Sequence, residues 1–218
     1  MNGLVGGWTK AELEALVSRG HPRRYRRGAP LFHEGDAAGS VVVVRSGRVK
    51  VSSYTADGKE VVLAVREPGE LLGELSAIDG EPCSATATAL ETVEACLVAA
   101  ADFRSFLEER PRVAFALLEM VSGKLRDADR KRIEFGAYDT AGRVARRLVE
   151  MAERFGEPAR GAVRITLPLS QQELAGWTGA SREAVSKALQ QLRGQGFIET
   201  ARRGITVCDV DGLRRRAT

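Results

Sequence analysis

Apolar positions change their period along the chain, and each period predicts a different element. Between Leu31 and Val98 they come in short β-branched runs, Val41 to Val44, Val49 to Val51 and Val61 to Val65. Gly35-Asp36, Ser46-Gly47, Asp57-Gly58, Pro68-Gly69 and Asp79-Gly80 separate these runs. Short runs between turn residues predict strands, and their spacing predicts a compact antiparallel roll or barrel. Asp57-Gly58 is the clearest hairpin signal, because both residues tolerate positive φ. Ahead of the strands, Thr9-Lys10-Ala11-Glu12 has the form of a capping box before Leu13, Leu16 and Val17, which predicts a short amphipathic helix.

From about Pro111 to Phe135 the pattern becomes helical, with Leu118, Val121, Leu125, Ala128, Arg132 and Phe135 at alternating three- and four-residue steps. So narrow a stripe on a long charged helix fits pairing with a second copy of the chain. Gly136 is expected to break this helix, and Asp139 to cap another that carries Val144, Leu148, Met151 and Phe155 on one side. A hinge between domains is expected there. Ser170-Gln171-Gln172-Glu173 is a second capping box, opening a helix with Leu174, Ala175 and Trp177. Thr178-Gly179-Ala180 then reads as a tight turn and Ser181 as the cap of the next helix, which is the grammar of a helix-turn-helix. On that second helix Val185, Ala188, Leu189 and Leu192 share one arc, while Arg182, Glu183, Ser186, Lys187 and Gln190 share the opposite one. Gly194 to Gly196 ends it. Phe197 to Glu199, a turn at Arg203-Gly204 and Ile205 to Cys208 predict a β-hairpin wing.

The fold class expected is α+β: a β-roll domain over residues 1–110, a central dimerisation helix over 111–136 and a winged helix-turn-helix over 137–218. With 218 residues, 44% of them hydrophobic and 28% charged, the chain is long enough for two cores. No run of about 18 apolar residues occurs, and Met1 to Lys10 lacks the basic-then-apolar pattern of a signal peptide, so a cytoplasmic protein with no membrane partner is expected. Cys83, Cys96 and Cys208 are odd in number and lack CxxC spacing, which argues against a disulfide framework and against zinc. The net charge is only +4, but arginines crowd the C-terminal part, from Arg143, Arg146 and Arg147 to Arg214, Arg215 and Arg216. That asymmetry points to a polyanion.

A recognition helix presents its N-terminal residues to the base edges, and here these are Arg182 and Glu183. Arginine donates two hydrogen bonds to guanine O6 and N7, and a carboxylate accepts from cytosine N4, so the pair suits G·C. Lys187, Gln190 and Ser186 follow on the same face. Ser170, Gln171 and Ser181 stand at helix starts, where they can hold phosphates and set register. For Ser170 and Ser181 capping is expected to leave the hydroxyl proton free for that purpose.

These residues resemble the cAMP receptor protein and FNR family of bacterial regulators, from about Trp8 to Val210. Leu31-Phe32-His33-Glu34-Gly35-Asp36, Ser46-Gly47-Arg48-Val49-Lys50, Pro68-Gly69-Glu70-Leu71-Leu72-Gly73-Glu74-Leu75 and Ser84-Ala85-Thr86-Ala87 follow its cyclic-nucleotide-binding β-roll, a cupin-like jelly roll. The stretch from Gly179 to Leu189 is similar to its recognition helix. The resemblance implies a homodimer on a near-palindromic duplex site with half-sites similar to TGTGA. It also implies control of transcription, with RNA polymerase as a partner, and dimer contacts through Leu118, Val121, Leu125, Ala128 and Phe135.

For the effector, the resemblance implies a site at Gly73, Glu74, Leu75, Cys83 and Ser84, reached by Ala128 and Asp129 of the central helix. In cAMP-binding members this loop cradles the cyclic phosphate with backbone N–H groups, an arginine and a serine, while a glutamate holds the ribose. Glu74 and Ser84 fit, but Cys83 stands at the arginine position and Ala128 at that of an adenine-contacting threonine. Losing a charge-assisted contact of this kind costs about 1.5–3 kcal/mol, or about ten- to hundredfold in affinity. Three readings follow: another or weakly bound ligand, activity without ligand, or cAMP control with Arg45 or Arg66 compensating. The ligand considered is a cyclic nucleotide, cAMP or cGMP. No cysteine precedes Cys83 to build the family's iron–sulfur site, haem is not expected either, and a redox role for Cys83 would require exposure and a low pKa.

Two rivals belong to other classes. A cupin-type metalloenzyme would need several histidines, and only His21 and His33 exist. A cyclic-nucleotide sensor acting on a protein partner would leave the basic C-terminal part structural. The switching mechanism expected is a swing at the hinge between Gly136 and Asp139, which sets the two recognition helices about 34 Å apart.

Overall fold

The computed structural model describes residues 7–159, 161–168, 170–201 and 204–217. They divide into two compact units. One takes Leu63–Ala128 and the described residues before Ala56, and the other takes Ala56–Val62 and the described residues from Asp129 on.

The first unit opens with helix α1 (Lys10–Val17), whose Thr9 and Glu12 form the expected capping box. Strands β1 (His21–Tyr25), β2 (Pro30–Phe32), β3 (Ser40–Ser46), β4 (Val49–Tyr54), β5 (Glu60–Arg66), β6 (Leu71–Leu72), β7 (Thr86–Ala89) and β8 (Val93–Ala99) make two four-stranded sheets, ordered β1-β8-β3-β6 and β2-β7-β4-β5. Gly58, in the turn between β4 and β5, has φ 79°, as the Asp57-Gly58 hairpin requires. Helix α2 (Glu74–Asp79) follows β6, α3 (Ala100–Glu108) follows β8, and α4 runs Pro111–Ala137.

Two cores explain the apolar pattern. Val42, Val44, Ala95 and Leu97 cluster with Val49, Leu72, Ala87 and Ala89. Their neighbours Val41, Val43, Cys96 and Val98 cluster instead with Leu13, Leu16, Phe103 and Phe106 of the helices. Because β3 is covered on both faces, its sequence is a continuous valine run rather than an alternation. Trp8 closes the helical side, donating from Nε1 to the Val113 carbonyl (3.2 Å).

Helix α4 differs from expectation at its end. Gly136 is its penultimate residue, and the helix stops after Ala137, one residue later than expected. Its 27 residues span about 40 Å. Val113, Ala116 and Leu117 are buried, whereas Phe115, Leu118, Leu125 and Ile133 are exposed.

In the second unit Asp139 caps α5 (Thr140–Phe155), accepting from the Gly142 N–H at 2.7 Å. Val144, Leu148, Met151 and Phe155 are buried, as their spacing predicts. Strands β9 (Gly156–Ala159) and β10 (Ala162–Ile165), helices α6 (Gln171–Thr178) and α7 (Arg182–Gly194), strands β11 (Ile198–Ala201) and β12 (Gly204–Val207) and helix α8 (Val210–Arg216) complete it. The wing is therefore part of a sheet ordered β11-β12-β10-β9 rather than a lone hairpin. Arg203, of the expected wing turn, lies outside the described residues.

Candidate nucleic-acid interface

Ser170 starts α6 with a capping box: its hydroxyl oxygen accepts from the Glu173 N–H (3.1 Å), and Glu173 accepts from the Ser170 N–H (2.8 Å). The Ser170 hydroxyl proton also goes to Glu173 (2.8 Å). It is thus engaged within the box, which leaves the first-turn N–H groups as the free donors at this end. Gly179 turns the chain with φ 60°, and Ser181 caps α7 by accepting from the Ala184 N–H (3.1 Å).

Burial on α7 follows the two arcs. Val185, Ala188, Leu189 and Leu192 are buried, while Arg182, Glu183, Lys187 and Gln190 are exposed and Ser186 is half-buried. The fold brings Gln171 beside them. Gln171, Arg182, Glu183, Ser186, Lys187 and Gln190 line one open groove of about 590 Å³. Among the described residues Arg182 and Lys187 enter no ion pair, so their cationic heads stay available. The Glu183 carboxyl is held below the usual carboxylate range, first by its own backbone N–H and then by the Ser181 hydroxyl. It is therefore an ionised acceptor at neutral pH, and the groove combines donors for phosphates and guanine with an acceptor for cytosine.

The loop after β6 has the opposite character. Gly73, with φ 76°, starts α2, and a Cβ there would stand 3.0 Å from the Ser40 carbonyl oxygen. Glu74 is buried and accepts from the Lys124 ammonium of α4 (2.6 Å). Burial pushes the Lys124 pKa down, and Glu74 opposes that shift. Sequence reasoning missed Lys124, although it stands one helical turn before Ala128. Leu75, Ser84, Ala128 and Asp129 are exposed. Cys83 is buried, and its backbone exchanges hydrogen bonds with Gly35 and Asp36, each 2.8 Å. Burial also pushes its thiol pKa up, the reverse of what a redox thiol needs. Of the two arginines considered as substitutes, Arg45 pairs with Glu14 of α1 (2.7 Å), and Arg66 pairs with Glu70 (3.7 Å) close enough to act on Lys124.

His33 and His21 are exposed, and among the described residues no group of three His, Cys, Asp or Glu side chains could hold a metal. No described helix is long and apolar enough to cross a membrane.

Comparison with known proteins assigns both halves. Residues 22–110 match the cyclic nucleotide-binding domain and residues 142–216 the Crp-like helix-turn-helix domain. The CRP-like cAMP-activated global transcriptional regulator of Mycobacterium tuberculosis is 33% identical over 215 residues, covering 99% of this chain and 96% of that one. The cyclic AMP receptor protein of Thermus thermophilus is 30% identical over 195 residues, covering 89% and 87%. Among solved structures, FixK2 from Bradyrhizobium japonicum superposes with a TM-score of 0.80 at 26% identity, covering 91% of this chain and 98% of that one.

Proposed function

The chain belongs to the CRP/FNR family of bacterial transcription regulators, and on that premise we propose that it acts as a homodimer on a near-palindromic duplex site with half-sites similar to TGTGA. The family's output is regulation of transcription through a DNA-binding helix-turn-helix, not catalysis. The observation that carries the reading is the groove at α7, where Arg182, Glu183, Ser186, Lys187, Gln190 and Gln171 converge. Arg182 reads guanine and Glu183 the cytosine on the other strand. Lys187, Gln190 and Ser186 contact the next bases, and the N-termini of α6 and α7, with Ser170 and Ser181 as caps, hold phosphates. The dimer contact runs along the stripe of α4 at Leu118, Val121, Leu125 and Ala128, which Phe115 extends, whereas Phe135, expected in it, packs instead against Gly179 and Arg143. A cytoplasmic protein that recruits or blocks RNA polymerase follows from this role.

Titrating full-length protein with duplexes of graded salt tests the reading. Site-selective binding that weakens as salt rises supports it, and binding without selectivity overturns it.

For the effector, the Lys124–Glu74 pair supports a site that departs from the cAMP pattern. Glu74, the ribose-holding position by resemblance, already has a partner, and Cys83 brings no charge to a phosphate. The mycobacterial relative is cAMP-activated by name, so cAMP control with Arg66 compensating is the second reading. Calorimetric titration with cAMP and cGMP separates the two: millimolar or absent binding favours the first, micromolar binding the second.

A further inference from the structure

Two buried charged residues, Glu134 and Arg147, have no part in the groove or in the effector loop. Glu134, near the end of α4, receives Arg146 (2.7 Å) and Arg147 of α5, and Arg147 also bonds Glu150. Next to it Arg143 ties three segments together. It donates to the Tyr138 carbonyl (2.6 Å) and to the Thr178 carbonyl at the end of α6 (2.9 Å), and it stacks over the Phe135 ring, 5.8 Å from its centroid. The same ring edge rests on the turn between α6 and α7. A Cβ on Gly179 would stand 2.4 Å from Phe135 Cε1, so the turn can approach the ring only as glycine. The two residues linking α4 to α5 are also held. Arg146 lies over the Tyr138 ring at 5.7 Å, and Asp139 binds the Gly142 N–H and Arg216, each at 2.7 Å.

We propose that residues 129–137 of α4 form one rigid body with the helix-turn-helix, with Glu134 and Phe135 as positioning residues for α7. The joint of the molecule then lies in α4 on the N-terminal side of Glu134, and the hinge expected between Gly136 and Asp139 is closed. The compact unit that holds the helix-turn-helix, together with Ala56–Val62, takes up α4 from Asp129 on, inside the continuous helix. Phe135 touches the turn immediately before the Ser181 cap, so any rotation of the helix end displaces the N-terminus of α7, where Arg182 and Glu183 stand. Hydrogen bonds to base edges tolerate only a few tenths of an ångström.

The test uses full-length protein with Cys208 replaced by serine and spin labels on exposed residues, diluted with unlabelled chain so that only intrachain distances are read. A 132–195 label pair lies within the proposed body, and a 119–195 pair spans the joint. The expected result in the otherwise wild-type protein is one narrow 132–195 distance that is identical with and without operator DNA, while the 119–195 distance shifts. A 132–195 distance that changes on DNA binding overturns the proposal. As a second measurement, Phe135→Ala should weaken operator binding about 2- to 30-fold while leaving non-specific binding and its salt slope unchanged, and Phe135→Tyr should restore it. Loss of overall fold would lower both kinds of binding together. An unchanged ratio of specific to non-specific affinity in Phe135→Ala therefore also overturns the proposal.

Discussion

On α7 the cationic side chains face outward outside any ion pair described, whereas around residues 73–84 the polar groups are tied to one another within the chain. Among the described residues Arg182 and Lys187 enter no ion pair, but Glu74 is held by Lys124, Arg66 by Glu70, and the Cys83 backbone by Gly35 and Asp36. A surface meant for a polyanion gains from open cations, since each internal pair would have to be exchanged before a phosphate could bind. A pocket whose charges already cancel presents little net field to an anionic ligand. The contrast teaches that, in this chain, the groove of α7 keeps its cations open while the charged groups around the effector loop are satisfied internally.

The strongest way to break that contrast is Arg182→Ala. Loss of a bidentate guanine contact costs about 1–3 kcal/mol per half-site, so a dimer should lose at least about 30-fold in operator affinity by fluorescence anisotropy. An unchanged affinity would remove Arg182 as a base reader and make the open cations mere surface charge. Next in size is Cys83→Arg, which should raise cAMP affinity about ten- to hundredfold by calorimetry if the missing guanidinium is what weakens the clamp. No gain would locate the difference in the Lys124–Glu74 pair instead. Lys124→Met should leave a buried carboxylate unpaired and lower stability by about 2 kcal/mol in urea unfolding. That figure is below the about 3–5 kcal/mol of a fully buried pair because a quarter of the Lys124 side chain remains exposed. A neutral effect would mean that the pair contributes nothing and the effector site is open after all.

The smallest effect concerns pH. The Asp139 carboxyl is held below the usual aspartate range, first by Arg216 and then by the Gly142 N–H. A carboxyl depressed by folding adds stability above its unfolded value, about 3.9, and loses it as pH falls through the folded value. Asp139→Asn keeps a capping oxygen but no charge, so its thermal midpoint should fall less steeply below about pH 4 than that of the wild type. Parallel acid limbs would show that the Arg216 contact is inert.

What could be read without coordinates follows from how local its cause is. Both capping boxes, the Asp57-Gly58 turn and the two arcs of α7 depend on residues a few positions apart, and the structure contains each of them. Gly136 marks the end of α4 to within one residue, a local signal of the same kind. Strands β9 and β10 are not legible in the sequence because Gly156–Ala159 carries no apolar alternation and its partner β10 is itself fixed by pairing with the distant β12. Gln171 could be nominated from its place at a helix start, but only the fold puts it in the groove with Lys187. Lys124 looked like one more charge on a charged helix, since nothing in its neighbourhood announces a carboxylate fifty positions earlier.

The pairing of β10 with β12 also governs the order of assembly. Val163 pairs with Val207, so the ladder encloses α6, α7 and β11 in a single long loop. Sheets closed over such a separation form only when both strands are available. During synthesis the recognition helix is therefore complete in sequence well before it has a sheet to seat it, and the unit can settle only after β12 has left the ribosome. The groove of α7 therefore depends on a strand that follows it in the chain, and its geometry is set last.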